Sequence, residues 1–109
     1  MAYDTALTAL ADPTRRAVFE LLRGGPISVG EIAAELPVSR PAVSQHLKVL
    51  KEAGLVRDEA DGARRVYEVD AQGLAELRTW LDGFWDEALL AFKTAVEKPS
   101  RSRRKAKRR

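Results

Sequence analysis

The chain contains no cysteine and a single histidine, so disulfides and thiolate metal sites are excluded, and imidazole ligands are too few for a zinc site. No apolar run approaches the ~20 residues that span a bilayer, and no basic segment followed by an apolar one opens the chain. Together these absences predict a cytoplasmic protein with no membrane partner. Catalysis also lacks its usual parts: there is no glycine-rich phosphate loop, no cysteine nucleophile, and no histidine paired with a nucleophile in a visible motif. The carboxylates are scattered over helix surfaces, so an enzyme is not expected.

What is present is one domain's worth of sequence, 109 residues, 45% apolar and 32% charged. The net charge of +3 conceals an asymmetry, because eight of the nineteen basic residues lie from Lys98 onward with no acidic residue among them. Residues 1–97 set the remaining eleven against all sixteen acidic ones and carry about −5. The boundaries expected are therefore a domain over 1–97 and a basic, disordered tail over 98–109.

Residues 38–54 form the best-delimited segment. Read as a helix, they place Val43, Leu47 and Leu50 on one side and Pro41, Ser44, Gln45, Lys48 and Lys51 on another. Ser39 is a good N-cap, Pro41 costs no hydrogen bond at the second helical position, and Gly54 suits a left-handed C-terminal residue. Before it, residues 3–11 read as a short helix with Leu7 and Leu10, too apolar to stand alone. Asp12-Pro13 starts a second helix reaching about Arg23, with Val18, Leu21 and Leu22 inward and Phe19 against the first helix. Gly24-Gly25-Pro26 ends it. Ile27 leads into Ser28-Val29-Gly30-Glu31, which matches a capping box and starts a helix from Val29 to Leu36 with Ile32, Ala33 and Leu36 as its buried stripe. Only a tight turn separates this helix from Ser39, which is the helix-turn-helix arrangement.

After Gly54 the pattern alternates. Leu55–Ala60 and Ala63–Val69 read as strands joined by an Asp61-Gly62 type I′ turn, which sets Glu59 opposite Arg64 and Asp58 opposite Arg65. From about Ala71 to Val96 the helical period returns. Leu74, Leu77, Leu81, Phe84 or Trp85, Ala88, Phe92 and Ala95 form its stripe, widened by Trp80, Leu89 and Val96. A helix of roughly 25 residues is near 37 Å long, more than one small domain covers, so part of it needs another surface.

The whole is mainly α with a β-hairpin, in the order α-α-α-α-β-β-α of a winged helix-turn-helix. The runs Ala9-Leu10-Ala11-Asp12-Pro13-Thr14-Arg15-Arg16 and Val38 through Ser44-Gln45-His46-Leu47-Lys48-Val49-Leu50 to Glu52-Ala53-Gly54-Leu55-Val56 resemble the ArsR/SmtB family of bacterial transcriptional repressors. The resemblance covers residues 5–97. It implies a homodimer whose first and last helices pair across a two-fold axis, with recognition helices in successive major grooves and hairpins as wings. In metal-sensing members, cysteines near the helix read here as Val29 to Leu36, or aspartate and histidine pairs on the final helix, hold the ion. Neither set is present, since the final helix has Asp82, Asp86 and Glu87 but no histidine, and carboxylates alone are a poor set for soft metals. No metal and no cofactor are expected; a small-molecule inducer stays open. His46 reads as a hydrogen-bonding structural residue rather than a ligand.

On this reading the expected partner is double-stranded DNA. Arg40, Ser44 and Gln45 face base edges, and Lys48 and Lys51 face phosphates, although a plain solvated helix face has the same composition. Arg64 and Arg65 follow the hairpin turn where a wing tip meets DNA, or else they pair with Glu59 and Asp58. Arg15 and Arg16 sit at a helix N-terminus, where the dipole disfavours cations, so a role beyond helix stability is indicated, phosphate contact being one. Leu7, Leu10, Trp80, Leu81, Phe84, Trp85 and Phe92 are the expected dimer interface, with an inducer pocket as the alternative for the aromatics. The tail either strengthens DNA binding through counterion release or serves as a solubilising end. A winged-helix protein-interaction module is the competing function, favoured mildly by the acidic body.

Overall fold

The computed structural model describes residues 2–97, with side chains from residue 4 onward; the basic tail lies outside the described residues. Five helices and three strands follow in order: α1 (Ala2–Ala11), α2 (Pro13–Leu21), β1 (Ile27–Ser28), α3 (Val29–Glu35), α4 (Arg40–Glu52), β2 (Val56–Asp61), β3 (Arg64–Val69) and α5 (Ala71–Glu97). The described residues divide into two units, one ending at Leu77 and one beginning at Arg78 within α5.

Local chemistry sets each boundary of the first unit. Asp12 caps α2 by accepting the Arg15 amide at 2.9 Å, and Ser39 caps α4 by accepting the Ala42 amide at 3.3 Å. Ser28 and Glu31 form the reciprocal capping box of α3, at 2.9 and 3.2 Å. At the far end of α4, Gly54 takes φ +80°, the Gly54 amide reaches the Lys51 carbonyl, and the Leu55 amide reaches the Leu50 carbonyl, each at 3.0 Å. That is a Schellman stop, and it buries Leu55 against the helices. Asp70 starts α5 by accepting the Gln72 amide at 3.1 Å.

The core is built from the stripes expected. Val18 and Leu22, Ile32, Val43, Leu47 and Leu50 are buried together with Leu55, Val56, Ala6 and Ala9. Ala33, Leu36 and Phe19 pack partly buried against them. α1 thus buries its alanines rather than its leucines: Leu10 is half-buried and Leu7 stays 40% exposed.

Three local expectations are corrected. α2 stops at Leu21 and its continuation to Gly24 tightens into a 3-10 turn, ending at Gly25 with φ +122°. The residues before α3 are also more than a lead-in, because Ile27 and Ser28 pair antiparallel with Tyr67 and Val66 and give a three-stranded sheet in the order β1-β3-β2. The hairpin turns one residue later than Asp61-Gly62 implies: Asp61 faces Arg64, Ala60 faces Arg65 and Asp58 faces Tyr67. Only Gly62 has positive φ, +65°, so the turn is Gly62-Ala63, with glycine first as a type II′ turn requires. Each residue keeps its face of the sheet, because the partner changes by two positions.

The start of α5 approaches the end of α4 backbone to backbone. A Cβ on Gly73 would stand 1.7 Å from the Gly54 carbonyl oxygen, so only glycine fits there. From Arg78 onward α5 is a single helix, and its apolar side chains are largely open: Leu81, Phe84, Trp85 and Phe92 are 52 to 66% exposed. Trp80 stacks on Phe84 with ring centroids 6.1 Å apart.

Candidate nucleic-acid interface

α4 buries Val43, Leu47 and Leu50 and so turns Arg40, Ser44, Gln45, Lys48 and Lys51 outward, all exposed. Beside its N-terminal half lies an open groove of about 550 Å³ whose far wall is the hairpin. Arg40, Pro41 and Ser44 form one side of it, Ala63, Arg64 and Arg65 another, and the first turn of α3 its base. Four of the seven residues expected to meet DNA therefore line a single depression, with Gln45, Lys48 and Lys51 on the same helix. Arg40 is seated over Gly30, where an added Cβ would lie 3.1 Å from the guanidinium.

Carboxylates organise these cations. Asp58, on β2 with its side chain only 9% exposed, accepts from Lys51 Nζ at 2.8 Å and from Arg65 Nη1 at 3.0 Å. The Lys51 ammonium, then burial working against it, then the Arg65 guanidinium set the balance, and the Asp58 carboxyl is held below its usual range. The expected Asp58 to Arg65 pair thus forms diagonally rather than directly across the strands. Arg64 pairs with Asp61 at 3.3 Å and approaches Glu31 at 3.7 Å, not Glu59. Directly across the strands, Arg57 pairs with Glu68 at 2.8 Å.

Arg15 and Arg16 serve the fold. The Arg15 Nε donates to the Ala9 carbonyl at 2.6 Å and the Arg16 Nη1 to the Leu10 carbonyl at 2.8 Å, so both cations sit on the negative end of α1. His46 is half-buried on α4, and among the described residues no hydrogen bond to its ring is found, which corrects the hydrogen-bonding role expected of it. Among the described residues no group of three or more His, Cys, Asp or Glu side chains stands close enough to hold a metal ion. No helix there is long and apolar enough to cross a membrane.

Sequence reading missed two contributors. Asp58 was visible only as a partner of Arg65; its link to Lys51 depends on how the Schellman turn folds β2 back along α4, which no local pattern encodes. Gly30 carried no signal at all, since a glycine inside a capped helix differs little on paper from any other small residue.

Comparison with known proteins agrees with this geometry. Residues 10–59 match a family model described as a helix-turn-helix domain. The chain is 60% identical to the HTH-type transcriptional regulator Rv2034 of Mycobacterium tuberculosis over 94 residues, 86% of this chain and 88% of that protein. It is 36% identical to the transcriptional repressor SdpR of Bacillus subtilis over 76 residues, 70% of this chain and 84% of that one. An ArsR-like transcriptional regulator from Rhodococcus sp. RHA1 superposes with a TM-score of 0.71 at 30% identity, covering 85% of this chain and 91% of its own. The homodimeric winged helix-turn-helix DNA-binding domain Mb0332 from Mycobacterium bovis, a possible ArsR-family regulator, does so at 0.64 and 28% identity, covering 81% and 82%. With a winged helix-turn-helix fold, an exposed α4 face and these relatives, the chain belongs to the ArsR/SmtB family and is a DNA-binding transcriptional regulator.

Proposed function

We propose that the protein is a homodimeric, cytoplasmic repressor that reads operator DNA with α4 and is not controlled by a thiolate metal site. The observation that carries the reading is the convergence of Arg40, Ser44, Arg64 and Arg65 on one groove beside the exposed Gln45, Lys48 and Lys51. Arg40, Ser44 and Gln45 reach base edges in the major groove, glutamine pairing with adenine and arginine with guanine. Lys48 and Lys51 take phosphates, and Arg64 and Arg65 bring the wing to the flanking backbone.

Dimerisation rests on the open apolar face of α5, with Leu81, Phe84, Trp85 and Phe92, and on Leu7 and Leu10 of α1. Mb0332 is a homodimer of the same fold, which supports the same assembly here. Repression is supported by the relative SdpR, which is named a repressor. In a gel shift with DNA from upstream of its own gene, the variant carrying Gln45→Ala and Lys48→Ala is expected to lose specific binding by about a hundredfold or more, since one bidentate base contact and one phosphate contact disappear from each subunit of the dimer. Full retention of specific binding in that variant contradicts the assignment of α4.

A further inference from the structure

Of the cations on the proposed DNA face, Arg64 pairs with Asp61 at the hairpin turn, while two others, Lys51 and Arg65, share a single carboxylate. Asp58 sits almost covered between α4 and the hairpin, 2.8 Å from Lys51 Nζ and 3.0 Å from Arg65 Nη1, while each of those side chains remains 54% exposed. One residue thus ties the C-terminal end of α4 to the wing and cancels one of the two positive charges it touches. Arg57 and Glu59, its neighbours along β2, are exposed on the opposite face of the strand, and the directly opposite residue is Tyr67, so Lys51 and Arg65 are the charges that Asp58 meets.

We propose that Asp58 is the specificity-setting residue of the DNA interface, holding Lys51 and Arg65 in place while damping their sequence-independent attraction to phosphate. Non-specific affinity comes from counterion release and scales with the number of free cations that meet phosphates. Base-edge contacts, in contrast, need the wing and α4 in fixed relation. A carboxylate shared by both elements lowers the first quantity and preserves the second, so the ratio of specific to non-specific binding rises. The inference rests on the reading that α4 and the wing face DNA.

The test uses the full-length protein and two duplexes, one selected by the wild-type protein from a random-sequence library and one of unrelated mixed sequence, with affinities measured from 50 to 200 mM salt. Asp58→Asn frees one net positive charge per subunit, two per dimer, and it is expected to bind the unrelated duplex several-fold more tightly at low salt, with the salt slope steeper by up to about 1.8. Its preference for the selected duplex falls. Glu59→Gln changes the net charge equally without touching Lys51 or Arg65, and it is expected to have a smaller effect on both quantities. Two exposed-helix variants provide a second readout that does not depend on replacing a covered residue. Among the described residues no carboxylate holds Lys48, so Lys48→Gln is expected to flatten the slope on the unrelated duplex more than Lys51→Gln does.

Equal effects of Asp58→Asn and Glu59→Gln, or equal slopes for Lys48→Gln and Lys51→Gln, overturn the role of Asp58 while leaving the DNA face intact. If Lys48→Gln leaves binding to both duplexes unchanged, the DNA-face reading itself fails, and the proposal fails with it.

Discussion

Single residues act here through charge pairing and through the space that glycine leaves. Gly30 lies in the first turn of α3 and leaves room for the Arg40 guanidinium, which a Cβ would crowd at 3.1 Å. Because the crowded atom is the far end of a flexible side chain, Gly30→Ala moves Arg40 rather than the backbone, and alanine is the better helix former by about 0.8–1.0 kcal/mol. The variant is expected to melt at the same temperature or slightly higher while its operator affinity drops severalfold. A parallel fall in melting temperature and affinity would show that Gly30 serves the fold instead.

Three carboxylates, Asp12, Glu31 and Asp58, are held below their ordinary range, the first two chiefly by backbone amides (Arg15 and Ser28) and the third chiefly by Lys51. A depressed folded-state pKa means the unfolded chain binds protons first, so this stabilisation is complete above the ordinary carboxylate values of about 4 and is lost as pH falls through the folded-state values. Melting temperature is therefore expected to be level near neutrality and to fall steeply below about pH 4.5. Glu31→Gln keeps an acceptor for the Ser28 amide and is expected to show a shallower acid limb. An unchanged limb in that variant contradicts the role of the capping box in it.

Elements were legible where local chemistry ends them. The caps at Asp12, Ser28 and Ser39 and the stop at Gly54 are short-range signals, and the four helix starts or ends they predict are found. The strand at Ile27 was not legible, because two residues carry no period and their pairing with Tyr67 and Val66 is made by chain some forty residues away. The hairpin register failed for a narrower reason: Asp61-Gly62 and Gly62-Ala63 both supply a glycine to a two-residue turn, and the choice falls to pairing along the whole ladder. The groove was legible only in its residues. Arg40, Ser44, Arg64 and Arg65 were named from the sequence, but that they line one depression follows from the sheet, whose third strand the sequence reading lacked.

Element packing also carries a demand that sequence hid. α5 starts against the Schellman turn of α4, with Gly73 over the Gly54 carbonyl. The clash in Gly73→Ala is with backbone, which cannot swing aside, so α5 has to shift. The cost is expected at about 1–3 kcal/mol or more, typical of overpacking, and is read as a lowered urea midpoint. A midpoint equal to that of the unaltered protein contradicts the close approach.

At the scale of the whole molecule, the opposition of charges is the feature to reconcile with DNA binding. Residues 1–97 carry about −5, yet the α4 and wing surface gathers Arg40, Lys48, Lys51, Arg64 and Arg65. Local charge, not the sum, meets the phosphates, and in the proposed dimer that surface occurs twice. Operator recognition depends on the paired arrangement, because one α4 reads too few base pairs to find an operator, and two on a two-fold axis read a palindrome.

Hydroxyl-radical footprinting of the protein on DNA upstream of its own gene tests the pairing of the two α4 helices. The expected result is two protected half-sites of inverted sequence, centred about one helical turn or ~34 Å apart, that appear together over one concentration range. A single protected half-site, or protection without inverted symmetry, would contradict it.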